Sequence, residues 1–301
     1  MDSTIIDNLK ERFRQGNIVV QLIYINVGVF VLVSMVQIGF MLFRQDLSPL
    51  LRYAELPASV SKFCTQPWSI LSYMFMHAGV WHLLFNMLWL YWFGMLFLQF
   101  FSAKHLRGLY VFAGICGGLL YMLAYNIFPL FIPTANYSYL VGASAAVLGI
   151  VAAVAFREPD YPINLLFFGM LRLKYLALIV IGLDLLFINS DNAGGHIAHL
   201  GGALAGLWFA WSLQKGNDLT KWINGFIDKF IDLFQRNNVS PKKPRMEAHY
   251  GGKQTDDSKE NTQKKAQDEE IDRILEKLKK SGYESLTAEE KKALFNASNR
   301  K

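Results

Sequence analysis

The chain alternates between long apolar runs and short polar breaks as far as about residue 214, and is polar thereafter. Six runs have the character of membrane-spanning helices: about Ile18–Phe43, Gly79–Phe101, Gly108–Ile132, Tyr139–Phe156, Tyr175–Asn189 and His196–Leu213. The fifth is short and has an alternative start at Leu171. The fourth differs in kind. It carries no charge before Arg157, and almost every second residue is small, which marks a helix that other helices approach closely. Counting back from Arg157 at about 1.5 Å per residue places Ser144 roughly 20 Å above the charged end. In a hydrocarbon core of about 30 Å that is roughly 10 Å below the far surface.

Beyond the sixth run, Asp218–Arg236 sets Trp222, Ile223, Phe226, Ile227, Phe230, Leu233 and Phe234 on one helical face, as expected of a helix lying on the inner membrane surface. Residues 237–267 have almost nothing to bury and read as a disordered linker. Ile271, Ile274, Leu275 and Leu278 then form a helical stripe ended by Gly282, and Thr287–Glu290 is a capping box opening a second helix. The expected layout is a tail (1–17), a six-span domain (18–214), a surface helix (215–236), a linker (237–267) and a small helical hairpin (268–301). The fold class is an all-α polytopic membrane protein. The first loop, Arg44–Ala78, holds three prolines but also Phe63, Trp68 and the run Ile70–Met76, so it is expected to lie partly in the membrane.

Composition refines this picture in two ways. The mean hydropathy of +0.22 averages an apolar part and a charged tail, and the net charge of +6 is too diluted to suggest nucleic acid. Lys10, Arg12, Arg14, Lys104, Arg107, Arg157, Arg172 and Lys174 flank the spans on one side, while Pro133–Ser138 and Ser190–Gly195 carry none. By the positive-inside rule both termini are cytoplasmic, in the inner cell membrane. Arg44, Arg52 and Lys62 weigh less because their loop is long. The polar start shows no cleavage site for a signal peptide, and Cys64 and Cys116 give no disulfide framework.

With this topology, polar residues within the spans can be placed by depth. His82 and Asn86 lie four residues apart on one face of the outer part of the second span. His199 precedes Lys215 by sixteen residues, roughly 24 Å, within a few ångströms of the depth of Ser144. Gly202 and Gly206 share its face and let the sixth span press on the fourth. A serine becomes a nucleophile when a neutral imidazole takes its proton. The Ser144 N–H, His82 and Asn86 can then donate to the oxyanion.

These residues form three motifs: His82-Leu-Leu-Phe-Asn86, Gly142-Ala-Ser144-Ala145 and Ala198-His199-Leu-Gly-Gly202-Ala-Leu-Ala-Gly206. In this order they resemble the rhomboid intramembrane serine proteases, over roughly Trp68–Gly206. The resemblance implies Ser144 as nucleophile and His199 as base, a dyad with no acidic third member, and His82 and Asn86 as oxyanion donors. It implies no cofactor and no metal. It also implies substrates that span the bilayer once, cut near the outer end of the span at small residues with helix-breaking neighbours. The chain departs from the family pattern at Ala145, where glycine is usual, at Leu148, where an aromatic often stacks under the histidine, and at Ser69 after Trp68. The hairpin near Asp272–Ser298 resembles a small module appended to some bacterial rhomboids.

Other polar residues have plainer expectations. Asp184, the one acid inside the spans, reads as a hydrogen-bonded structural group, with orientation of a histidine as the alternative. His196 is rotated off the glycine face and is the weaker candidate for the base. His77 is structural or close to the oxyanion site. Asn126 and Gln37 are expected to bond between helices, and Gly114–Gly118 to serve packing. Two competing functions stay open. One is a metalloprotease built on His77, His82, His196 and His199, against which no HExxH occurs and no acid is near them in sequence. The other is an inactive rhomboid-like protein that binds membrane clients, against which both Ser144 and His199 are present.

Overall fold

A computed structural model describes residues 16–165, 169–235, 272–280 and 285–298, together with Phe13 and Gly282. The expected linker and most of the N-terminal tail lie outside these residues. The chain divides into two compact units, Met1–Asn238 and Val239–Lys301.

The first unit is built on six apolar helices, α1 (Ile18–Leu42), α2 (Val80–Phe100), α3 (Ala103–Ile127), α4 (Ser144–Arg157), α5 (Leu173–Leu186) and α6 (Ala193–Gln214), followed by α7 (Lys221–Gln235). The first three are long and apolar enough to cross a membrane. α4 and α5 have 14 residues each, or about 21 Å, less than a bilayer core of about 30 Å. Asn17 caps α1 by accepting from the Val20 N–H, and Ser102 caps α3 by accepting from the His105 N–H. That serine explains why α3 begins five residues before the expected Gly108. It ends at Ile127 rather than Ile132, because Pro129 disfavours helix in the residue before it.

The largest departure from the sequence reading is at the fourth run. Tyr139–Leu140 is not helical. It forms a strand, β2, paired antiparallel with β1 (Leu56–Pro57) of the first loop. Gly142 then turns the chain at φ 122°, a value glycine adopts without strain, and donates its N–H to Tyr73 O at 2.9 Å. The helix starts only at Ser144. α6 and α3 enclose it. A Cβ on Gly202 would strike the Ala145 carbonyl, one on Gly206 the Gly149 carbonyl, and one on Gly117 would lie 2.6 Å from the Ala145 Cβ. As a result every residue from Ala145 to Ala155 is buried.

The first loop is folded against this core, with Leu56, Ala58, Tyr73 and Met74 buried. Tyr73 OH donates to Gly114 O (2.7 Å), and Asn126 Nδ2 donates to Ala58 O (2.8 Å) and to Met122 O of its own helix. Asn126 therefore bonds a loop, not a neighbouring helix. Gln37 makes no interhelical hydrogen bond among the described residues; it borders a separate cavity beside Arg52, Glu55 and His77. The Gly114–Gly118 stretch packs as expected, since Cβ atoms there would collide with Met74, Ala145 and Leu56.

α7 starts at Lys221, and its apolar face is split. Ile223 is buried, while Trp222, Phe226, Phe230 and Leu233 are exposed in a row. The helix is pinned by Asn224 to the Lys104 carbonyl and by Asp228 to Arg107 and Lys104. In the second unit a helix over 272–280 precedes one at Ala288–Ser298. The capping box forms: Thr287 N–H donates to Glu290 Oε2 (2.7 Å) and Glu290 N–H to Thr287 Oγ1 (3.3 Å).

Candidate functional site

One cavity of about 970 Å³ is lined by His82 and Asn86 from α2, Ser144 and Leu148 from α4, Asp184 from α5, and His196 and His199 from α6. The four residues proposed from sequence thus meet in one space, and Asp184 and His196 come with them. Being the first residue of α4, Ser144 has no helical carbonyl one turn earlier to bond. Its Oγ has no hydrogen-bond partner among the described residues. The N–H groups at the start of a helix also lack intrahelical acceptors; the first to bond back is that of Val147, to Ala143 O at 3.0 Å. A helix N-terminus with unsatisfied donors is suited to receive negative charge.

His82 Nδ1 accepts the Ala78 N–H at 3.4 Å. A neutral ring so bonded carries its proton on Nε2 and is a donor there. This Nε2 sits 2.8 Å from where a Cβ on Gly142 would be, so the glycine both makes the turn and leaves room for the imidazole. Asn86 is buried, and its Nδ2 spends one hydrogen on His82 O at 2.8 Å. A second hydrogen remains on that nitrogen.

On α6, His196 and His199 both place Nδ1 at 2.8 Å from the same oxygen, Asp184 Oδ1. An ionised carboxylate only accepts, so each ring donates from Nδ1 and leaves an acceptor lone pair on Nε2. Asp184 Oδ2 is buried without a partner among the described residues. Helix register separates the two histidines. Gly202 meets Ala145 and Gly206 meets Gly149, so residue 201 is level with Ser144. His199 is two residues above that level, about 3 Å, and His196 five residues above, about 7.5 Å. The four histidines of the metal reading do not group together. His77 and His82 meet ring to ring at 5.2 Å, and the metal-competent set among the described residues is Asp184, His196 and His199.

A rhomboid-domain family profile matches residues 64–216, which is half of the chain and includes every cavity residue named above. The chain belongs to the rhomboid family. Rhomboid relatives include the Arabidopsis thaliana RHOMBOID-like protein 12, mitochondrial, 28% identical over 158 residues (49% of this chain and 47% of that protein). Another is the Saccharomyces cerevisiae Rhomboid protein 1, mitochondrial, 29% identical over 159 residues (51% and 44%). The chain thus spans less than half the length of these curated relatives. Residues 254–300 match a separate family of unknown function.

The departures from the rhomboid pattern have local explanations. The extra methyl of Ala145 is accommodated because Gly117 opposite has none. Leu148 is buried in the cavity wall alongside His199. The Trp68 indole donates to Tyr53 O at 2.8 Å and Ser69 is buried, so this pair serves the first loop. Asp184 is hydrogen-bonded as expected, and its partners are the two histidines of α6. The signal was available, because a lone acid in an apolar helix needs a partner, but its partner histidines lie in the next helix. Gly142 stands in the serine motif, but the turn it makes, like the role of Tyr73, had no local signal.

Proposed function

We propose that this rhomboid is a serine endopeptidase that cleaves membrane-spanning proteins within the bilayer. Support comes from one arrangement: Ser144 on a donor-rich helix start, in the same cavity as an imidazole whose Nδ1 is bound to a carboxylate. Ser144 Oγ attacks the scissile carbonyl carbon while His199 Nε2 takes its proton. The oxyanion receives hydrogen bonds from His82 Nε2–H, the spare Asn86 N–H and the Ser144 N–H. The protonated His199 then gives its proton to the departing amine, leaving an acyl-enzyme. Water, activated by the same ring, releases the second product. Asp184 accepts the Nδ1–H throughout, holding the tautomer and stabilising the imidazolium. Asp184 thus extends the expected Ser144–His199 dyad as a positioning residue. Both termini face the cytoplasm, and the site opens on the opposite side of the inner membrane.

The deciding experiment is cleavage of a single-span substrate by purified protein beside Ser144→Ala. The wild type cleaves and reacts with a fluorophosphonate, while the variant folds, does neither, and still binds the substrate. Undiminished cleavage by Ser144→Ala refutes the proposal, and substrate binding without cleavage by the wild type turns it into a client-binding protein.

A further inference from the structure

One histidine is enough to complete Ser144–His199–Asp184, yet the carboxylate holds two. His196 Nδ1 reaches the same Asp184 oxygen at the same 2.8 Å, and the other oxygen is buried without a partner among the described residues. A buried carboxylate oxygen left unbonded is costly. The second ring and the orphan oxygen are surplus to the hydrolytic mechanism, and together they make a donor set. The three ligand groups lie within 4.8 Å of one another, and both imidazoles are partly open to the cavity.

We propose that Asp184, His196 and His199 form an inhibitory site for a divalent transition-metal ion of the zinc type. Two imidazole nitrogens and a carboxylate oxygen are a three-ligand zinc set, with the cavity supplying water to the fourth position. In a tetrahedral zinc site with bonds of about 2.0–2.1 Å, ligand atoms stand roughly 3.3 Å apart. The two Nδ1–Oδ1 separations of 2.8 Å need to open by about half an ångström, within the reach of side-chain rotation. Calcium and magnesium fit poorly, because they favour oxygen ligands.

Inhibition follows from proton placement. A metal takes the Nδ1 lone pair, so the proton of each neutral ring moves from Nδ1 to Nε2, with no change in ring charge. His199 then presents a donor on Nε2 where an acceptor is required, and it cannot remove the Ser144 proton. The metal also takes the carboxylate that would stabilise an imidazolium. This consequence rests on the reading of His199 as the base. The binding site itself does not depend on it.

The test uses full-length protein in detergent, with Zn2+ for activity and Co2+ as a visible-absorption probe of the coordination sphere. Both wild type and Ser144→Ala should bind one Co2+ with an absorption spectrum typical of tetrahedral nitrogen and oxygen ligation. Zn2+ should displace it and lower wild-type turnover by an order of magnitude or more, reversibly with chelator. His196→Gln keeps a hydrogen-bonding side chain for Asp184 but lacks the ring ligand. It should lose the Co2+ spectrum, and its Zn2+ sensitivity, referred to its own metal-free rate, should be at least ten times lower than that of wild type. Absence of Co2+ binding in wild type and Ser144→Ala, equal Zn2+ sensitivity in His196→Gln, or a rise of turnover with Zn2+ would each overturn the proposal. An inactive, folded His196→Gln that still shows the Co2+ spectrum would overturn it as well. Loss of the serine-protease reading shows separately, as full activity of Ser144→Ala with Co2+ binding unchanged.

Discussion

α1 and α4 meet the same apolar surroundings in opposite ways. The α1 window has a mean hydropathy of 2.3 and is only 17% buried, and the buried residues of the whole helix are Val19, Leu22 and Asn26. Leu32, Met35, Ile38 and Met41 face outward. α4 is too short to span alone, and 11 of its 14 residues are buried. Leucine and isoleucine make α1 a lipid-facing helix that needs few neighbours. Alanine and glycine make α4 a helix that exists only inside its neighbours, since small side chains gain little from lipid and much from close backbone contact. The most hydrophobic segment is thus peripheral to the candidate site, and the most finely packed one carries Ser144.

Glycine substitutions break this contrast most sharply. Gly202→Ala puts a methyl against the Ala145 carbonyl, where backbone must give way. The expected cost is about 1–3 kcal/mol or more, seen as a large fall in thermal midpoint in detergent and loss of turnover as His199 is pushed from Ser144. Gly28 of α1 has open space where a Cβ would go. Gly28→Ala should leave activity unchanged and add roughly 0.5–1 kcal/mol of helix stability. Equal damage at both positions would show that the two helices pack alike.

Residues around the start of α4 should affect chemistry more than folding. Removal of one preorganised oxyanion donor costs about a hundredfold in turnover or more, roughly 2.7–4 kcal/mol. His82→Ala and Asn86→Ala should show this loss in kcat, with a thermal midpoint close to wild type. A loss confined to KM would take them out of the oxyanion site.

What the sequence made legible divides along the same line. The apolar periodicity exposed all six helices, and the motifs on α2, α4 and α6 brought His82, Asn86, Ser144 and His199 to one depth. It failed where geometry depends on pairing between distant segments. Tyr139–Leu140 is apolar enough for a helix and was read as one, because nothing local reveals its partner Leu56–Pro57. The partners of Asp184 were hidden for the same reason, since they lie twelve and fifteen residues away, in another helix. α3 was misplaced by one turn and more because the Ser102 cap, a local signal, was outweighed by hydropathy.

α1 is tied to the bundle by one buried polar link. Asn26 Nδ2 bonds Tyr110 OH at 3.2 Å, and that hydroxyl donates to Met74 O of the first loop. Asn26→Leu should lower the thermal midpoint modestly, by about 1 kcal/mol in stability, and leave turnover intact. A change in cleavage would give α1 a part in catalysis that its packing does not show.

The smallest expected effect is at α7. Arg107 and Lys104, bonded to Asp228, hold its carboxyl below the ordinary value of 3.8. A lowered value in the folded state means that the contribution is present above pH 3.8 and is lost as pH falls through the lowered value. The group is exposed, so added salt should weaken it. Fluorescence of Trp222 followed from neutral pH down through and below the ordinary carboxylate range should report loosening of α7 at the acid end, and Asp228→Asn should flatten the curve. An identical curve in the variant would place the helix's hold on Ile223 and Asn224 alone.

Tyr73 is clamped at both ends. Its hydroxyl rests on the Gly114 carbonyl of α3, and its own carbonyl receives the Gly142 N–H, two residues before Ser144. Ser144 is therefore aligned against α3 through a loop residue, much as a workpiece is set against a fixed jaw. An insertion or deletion in the first loop would reach the serine as misalignment although no helix had shifted, so the length of that loop is a tolerance of the candidate site.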